Sequence, residues 1–301
     1  MRLPSTKQLQ YFVALADIGH FGRAADASHV SQSAFSNAIK ELENTLQTQL
    51  VDRTRRQVTI TATGQEVATQ ARLVLRDMEQ LTDLAADNRQ PLTGDLRLGV
   101  IPTIAPFLLP QVLPKLRRAY KELNLYLIED QTSRAVERLM NGELDVVLLA
   151  LPWDMRGVET LVLFDDEFCL ACRKGTTRVD PEKYRFDRLA ADSILLLEDG
   201  HCLRDHALAA CKIRNTQKVQ PFAASSILTL IEMVDADLGI TFLPEMAAGS
   251  ALLRNTQLRL YPLGEKSFRQ IGLVWRKGSN RAEEFRMLGD FITASRTRPQ
   301  S

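Results

Sequence analysis

Phe21-Gly22-Arg23-Ala24-Ala25-Asp26-Ala27-Ser28-His29-Val30-Ser31-Gln32-Ser33-Ala34-Phe35-Ser36-Asn37-Ala38-Ile39-Lys40 is the stretch from which the fold of this chain is read. Phe21 to Ala27 can form a short helix. Ser31 to Thr45 can form a longer one, with Ser31 suited to cap its start. On the longer helix Phe35, Ala38, Ile39 and Leu42 recur at helical spacing, and Gln32, Ser33, Ser36, Asn37 and Lys40 fall on the opposite side. A short helix, a tight turn and a second helix whose exposed face reaches base edges make a helix-turn-helix. Gln and Asn can pair bidentately with adenine, Ser with base edges or phosphate, and Lys with guanine or phosphate. The same polar face would also suit a solvated surface helix beside a basic turn, so the pattern alone leaves both readings open.

Outward from this stretch, residues 6 to 50 read as helices only, with Leu9, Phe12, Val13 and Ala16 on one face ahead of the motif and Leu46 beyond it. Residues 52 to 61 are β-branched and basic with short alternation, which predicts a two-stranded hairpin. Arg53, Arg55 and Arg56 have no acidic residue near them and could grip the flanking phosphates. After Gly64 no Pro or Gly interrupts the chain to Asn88, so one long helix is expected. Val67, Ala71, Val74, Met78, Leu81 and Ala85 fall at alternating steps of four and three along it, a heptad seam suited to dimerisation. The competing expectation is a helix packed on its own domain. Pro91-Leu92-Thr93-Gly94 ends this segment. From Asp95 strand-like runs (Leu96 to Ile101, Leu125 to Ile128, Leu144 to Leu149) alternate with helical ones, which predicts a parallel sheet covered by helices. Ligands of such folds sit beyond the carboxyl ends of the strands.

The chain has 301 residues, 45% apolar and 25% charged, with 38 Lys and Arg against 37 Asp and Glu. This is the composition of a globular protein with room for two or three domains. A formal net charge of +1 argues against a polybasic coat but not against a small DNA-reading face. Four cysteines make no disulfide framework. The first residues lack the apolar core of a signal peptide, and no apolar run approaches a membrane span. The expectation is a cytoplasmic chain with reduced thiols and no membrane partner.

Residues 7 to 64, with Phe21-Gly22-Arg23-Ala24-Ala25 and Val30-Ser31-Gln32-Ser33-Ala34-Phe35-Ser36, resemble the winged helix-turn-helix of LysR-type transcriptional regulators. That family joins such a head through a long dimerising helix to a two-lobed α/β effector domain like that of periplasmic binding proteins. The resemblance implies a winged helix-turn-helix over 1–62 (motif about 21–40), a linker and dimerisation helix over 63–90, and an effector domain over 91–301. Its first lobe would take about 91–165 and 268–301, and its second about 166–267. Ser33 stands where the family commonly has Pro at the first turn of the recognition helix, a departure that could alter base preference.

The segment Leu195-Leu196-Leu197-Glu198-Asp199-Gly200-His201-Cys202-Leu203-Arg204-Asp205-His206, continuing to Ala209-Ala210-Cys211, resembles the redox centre of the hydrogen-peroxide sensors within this family. Ile101-Pro102-Thr103, Glu129-Asp130-Gln131-Thr132 and Ile271-Gly272-Leu273-Val274-Trp275-Arg276 add to it. The resemblance implies that Cys202 is the peroxidatic cysteine and Cys211 the resolving one, with Thr103, Thr132, His201, Arg204, Asp205 and Arg276 around the peroxide. The chemistry suits those roles. A thiolate attacks the O–O bond, so the sensor cysteine is expected to have a depressed pKa and access. A helix starting near Cys202 would point its N–H groups at the sulfur. Thr103 and Thr132 each follow a predicted strand, so their hydroxyls can converge on one crevice, while Asp205 would oppose thiolate formation. Were 202 to 211 one helix, about 13 Å would separate the two Cα atoms, against about 4.4–6.8 Å in a disulfide. Bond formation would then require local unfolding.

The resulting expectation is a regulator, not an enzyme, that binds promoter DNA as a homodimer or homotetramer. It would answer hydrogen peroxide, engage RNA polymerase, be reset by cellular thiol reductants, and need no cofactor or metal. A LysR-type regulator answering a small organic ligand and a thiol peroxidase are the rivals. Zinc at His201, Cys202, His206 and Cys211 is a weaker reading. Cys169-Leu170-Ala171-Cys172 lies in an apolar run, where two cysteines three apart on a strand point to opposite faces and act as small buried hydrophobes.

Overall fold

The computed structural model describes residues 3–53, 58–85, 91–210, 218–263 and 267–296. They fall into two compact units, Met1–Arg89 with Met140–Glu143, and Gln90–Leu139 with Leu144–Ser301.

In the first unit α1 (Thr6–Ile18) starts at a reciprocal cap. The Gln8 backbone N–H donates to Ser5 Oγ at 3.3 Å, and the Ser5 N–H donates to Gln8 Oε1 at 2.8 Å. α2 (Phe21–Ala27) and α3 (Gln32–Leu46) follow, then the antiparallel pair β1 (Val51–Arg53) and β2 (Val58–Ile60), then α4 (Ala62–Ala85). Phe12, Leu15, Ala24, Ala25, Phe35, Ile39 and Leu42 form the core. Phe35 stacks on Tyr11 at 5.2 Å and meets Phe21 edge-on at 6.1 Å. Burying each large side chain of this kind contributes roughly 1.5–3 kcal/mol. Glu43 Oε1 accepts from the N–H groups of Leu50 and Val51 at 2.9 and 3.1 Å, tying α3 to β1.

The start of α4 belongs to this core. Val67 and Ala68 pack on it, and Arg72 pairs with Asp17 on α1 at 2.5 Å. Further along, Met78 and Leu81 are 43% and 68% exposed. The predicted seam therefore divides: Val67 serves its own domain, and only the later positions stay open.

In the second unit the elements are β3 (Gly94–Val100), α5 (Ala105–Ala119), β4 (Leu123–Glu129), α6 (Thr132–Met140), β5 (Val146–Leu151) and β6 (Val158–Arg173), then α7 (Cys202–Ala210) and α8 (Ile227–Asp235). β7 (Thr241–Pro244), α9 (Ala251–Arg254), β8 (Leu258–Pro262), β9 (Phe268–Arg276) and α10 (Ala282–Ser295) complete it. The strand order is β4-β3-β5-β9-β6-β7, with β8 also on β6. Every residue of β5 is buried, as expected of a strand covered on both faces.

The parallel sheet expected from the βαβα order extends over only part of the strands. β3, β4 and β5 are parallel, but β9 inserts antiparallel between β5 and β6, and β7 and β8 are antiparallel to β6. The reason is long-range: β9 comes from residues about a hundred positions after β6, and alternation within one segment carries no record of its partner's direction. β6 is one strand that changes partners along its length. Val158 to Glu167 pair with β9, and from Phe168 the strand pairs with β7 and β8. Among the described residues no helix is long and apolar enough to cross a membrane.

Candidate functional site

Thr103, Thr132 and Pro152 lie just past the carboxyl ends of β3, β4 and β5, the three parallel neighbours of the sheet. This is where an open α/β sheet places its ligands. Cys202, the first residue of α7, is a buried free thiol and belongs to the same packed core. Thr103 and Thr132 are both buried, as the sequence reading needs for hydroxyls that converge on the thiol.

The cation at this place is Arg269, which sequence reasoning missed. Its guanidinium is fully buried. Nε donates to Asp166 Oδ2 at 3.0 Å, Nη1 to Thr103 Oγ1 at 3.0 Å and Nη2 to the Thr103 carbonyl at 2.9 Å. Asp166 Oδ1 also accepts from the Met246 N–H at 3.1 Å. Arg276, the arginine expected here, is elsewhere. Its Nη1 donates to the Leu139 and Leu144 carbonyls, so it braces the end of α6 and does not face the thiol. The swap has a simple cause: on a strand, residues 269 and 276 are an odd number apart and project to opposite faces.

The expectation of an accessible, acidic thiol is also corrected. Burial pushes the Cys202 thiol above its ordinary value. The charge of Arg269 and the Thr132 hydroxyl pull it down, Asp205 raises it, and Thr103 lowers it. Thr103 Oγ1 accepts from Arg269, which leaves its own O–H free to donate to sulfur, a relay from cation to thiol. Thr132 Oγ1 is buried with no partner at full hydrogen-bond distance among the described residues, and its hydroxyl still favours the charged sulfur.

The remaining residues divide. His201 is buried, and its Nδ1 has no partner among the described residues. Arg204 binds the Leu197 carbonyl at 3.1 Å and Asp199 at 3.1 Å, holding the loop before α7. Asp205 is exposed. His206 places Nε2 3.3 Å from the Pro152 carbonyl, and burial holds it below its ordinary value. Cys211 lies outside the described residues. Among those described, no three His, Cys, Asp or Glu side chains form a metal-holding group. Cys169 and Cys172 sit on β6, both buried, and burial pushes each thiol up to about 11.

In the first unit Ser31 caps α3, its Oγ accepting from the Ala34 N–H at 3.3 Å and lying 3.2 Å from Ser33 Oγ. Gln32, Ser33, Asn37 and Lys40 are exposed and Ser36 is half-buried, while Phe35, Ile39 and Leu42 turn inward. Arg53 ends β1, and Arg55 and Arg56 lie outside the described residues.

Two family models match the chain: "Bacterial regulatory helix-turn-helix protein, lysR family" over residues 6–65 and "LysR substrate binding domain" over residues 89–296. The chain is 40% identical over 291 residues to the HTH-type transcriptional regulator EstR of Acinetobacter baylyi, covering 96% of each. It is 37% identical over 286 residues to a hydrogen peroxide-inducible genes activator of Dickeya chrysanthemi, covering 95% of this chain and 94% of that one. A solved full-length OxyR variant from Pseudomonas aeruginosa is similar over 100% of both chains, at 30% identity and a TM-score of 0.80.

Proposed function

The chain belongs to the LysR family of bacterial transcriptional regulators, and from that premise we propose that it reads promoter DNA with α3 and senses hydrogen peroxide at Cys202. The observation that carries this is the buried Cys202 thiol held with Thr103 and Thr132 beside the Arg269–Asp166 pair. A hydroxyl relay ending on a thiol suits a small neutral oxidant. In the first step the sulfur attacks one peroxide oxygen, the O–O bond breaks, Cys202 becomes a sulfenic acid and water leaves. In the second the Cys211 thiol attacks that sulfur, the S–O bond breaks, and a disulfide and a second water form.

The second step requires α7 to open. With α7 helical from Cys202 to Ala210, eight steps at about 1.5 Å separate its end residues by about 12 Å. One further Cα step of about 3.8 Å cannot bring a cysteine within the roughly 4.4–6.8 Å of a disulfide. Oxidation thus exchanges a helix for a covalent bond, and the repacking is transmitted to the heads on DNA. Gln32, Ser33, Ser36, Asn37 and Lys40 read bases or phosphates, and Arg53, Arg55 and Arg56 hold the flanking backbone. Of the predicted seam, the open positions Met78 and Leu81 serve a dimer within a homotetramer, while Val67 packs in its own domain. The protein acts in the cytoplasm as a regulator and not as an enzyme, engages RNA polymerase, and is reset by cellular thiol reductants.

The test is mass spectrometry of alkylated peptides after brief peroxide treatment, together with promoter binding by both forms. A trapped sulfenic acid at Cys202, then a Cys202–Cys211 bond and altered binding, is the expected result. An unchanged peroxide response in Cys202→Ser refutes the reading and favours a small organic ligand as the signal. Many turnovers of peroxide with a thiol reductant would make the protein a peroxidase.

A further inference from the structure

His206 stands four residues after Cys202 on α7, one helical turn along the same face, where Cβ atoms are about 5–6 Å apart. Its Nε2 lies 3.3 Å from the Pro152 carbonyl, just past the end of β5. A carbonyl only accepts, so Nε2 carries the hydrogen, and in the neutral ring Nδ1 holds the lone pair. Nδ1 is buried with no partner among the described residues. The ring is therefore oriented at one nitrogen and open at the other, one turn along α7 from the thiol. The charge of Arg269 acts on both Cys202 and His206.

We propose that His206 is the proton carrier for the oxidation of Cys202: Nδ1 takes the thiol proton, directly or through one water, and returns it to the departing hydroxide. The inference rests on the peroxide-sensing reading above. Atoms and electrons balance. The S–H and O–O bonds break, an S–O bond forms, sulfur is oxidised, one peroxide oxygen leaves as water, and the imidazole ends neutral as it began. A dry site that disfavours a standing thiolate needs such a base, because the proton must leave as the sulfur attacks. The groups facing the ring suit the role. Burial keeps it neutral, the Pro152 carbonyl and Asp205 on its own helix favour the charged form, and Arg269 on β9, paired with Asp166 on β6, opposes it.

The test uses the full-length protein and hydrogen peroxide. Sulfenic acid at Cys202 is trapped with a 1,3-dione and quantified by mass spectrometry from about pH 5 to 9, in wild type and in His206→Gln. Gln retains an N–H for Pro152 and lacks the basic nitrogen. The wild-type rate should fall in acid through an inflection below the usual histidine value. The variant should lose that inflection and react on the order of 10²-fold more slowly near neutral pH. A variant that matches wild type in rate and profile overturns the proposal. Should His206→Gln fail to fold, the wild-type profile decides: a rate that rises only with ionisation of the thiol, above about pH 9, refutes a histidine base. Absence of sulfenic acid in wild type sinks the peroxide reading and this proposal together, which separates that failure from the loss of His206 alone.

Discussion

Replacing Arg269 by Met removes the guanidinium and keeps much of its bulk, so the loss can be worked contact by contact. Asp166, whose side chain is 3% exposed, would lose its ion partner at 3.0 Å. Stranding a buried charge in this way costs about 3–5 kcal/mol. The Thr103 carbonyl would lose the N–H it accepts at 2.9 Å, on the order of 1–3 kcal/mol when left unsatisfied. The sum, roughly 4–8 kcal/mol, is comparable with the whole stability of a typical domain. It should also depend on pH. Burial already raises Asp166 above its ordinary value while Arg269 opposes the rise. A raised folded pKa means that the native form holds the proton more tightly than the unfolded chain. This group therefore stabilises most in acid, and the contribution is lost as pH rises through the folded pKa. Without Arg269 the pKa rises further, so the gap between variant and wild type should narrow as the pH falls into the acid range. The chain's two tryptophans, Trp153 and Trp275, both lie in the second unit, so urea unfolding followed by their fluorescence reads that unit. Asp166→Asn added to Arg269→Met should recover most of the loss. A gap under about 1 kcal/mol, a gap that widens in acid, or a double variant as weak as the single one would refute the reasoning.

Thr132→Val should leave stability unchanged or raise it by up to about 1 kcal/mol, since the buried hydroxyl has no full partner among the described residues, yet slow Cys202 oxidation in a trapping assay. Gly200 has φ +96, and a Cβ there would stand 2.9 Å from Gln131 Oε1. Gly200→Ala should therefore cost about 1–2 kcal/mol, measured by thermal unfolding. Leu81→Glu should shift sedimentation toward a smaller species without lowering helicity, because Leu81 is 68% exposed. Cys169→Ala with Cys172→Ala should lower stability modestly and leave the peroxide response of promoter binding intact. Both wild-type thiols, pushed up to about 11, should resist alkylation near neutral pH.

The helix-turn-helix is legible because its determinants are local. The helical spacing of Phe35, Ile39 and Leu42 and the Ser31 cap are written within fifteen residues, and each appears where the pattern predicts it. Thr103 and Thr132 are legible for a similar reason, since a strand followed by a helix fixes where their hydroxyls stand. The Arg269–Asp166 pair is not, because its members are 103 positions apart and meet only when β9 slots beside β6. His206 was visible as a residue but not as a base, since its oriented Nε2 depends on a carbonyl 54 positions earlier. The Cys202 thiol departs from the sequence expectation on the same ground. The helix start and nearby cations are local and favour the thiolate, whereas burial, the largest influence, is a property of the whole unit.

That burial decides how the site can work. Arg269 is held against Asp166, so the sulfur meets a paired cation whose field falls off as a dipole's and not as a full charge. Such a field moderates the cost of a thiolate without overcoming desolvation, and the thiol stays protonated at rest. Two hydroxyls and the open nitrogen of a neutral imidazole, in contrast, can act when a proton moves. On the peroxide-sensing reading, reaction in this pocket would therefore couple proton transfer to attack on the O–O bond. A thiol that ionises only as it reacts is shielded from bulky or charged oxidants by the packing that raises its pKa, and it remains open to a small neutral molecule that can accept and donate hydrogen bonds in the same step.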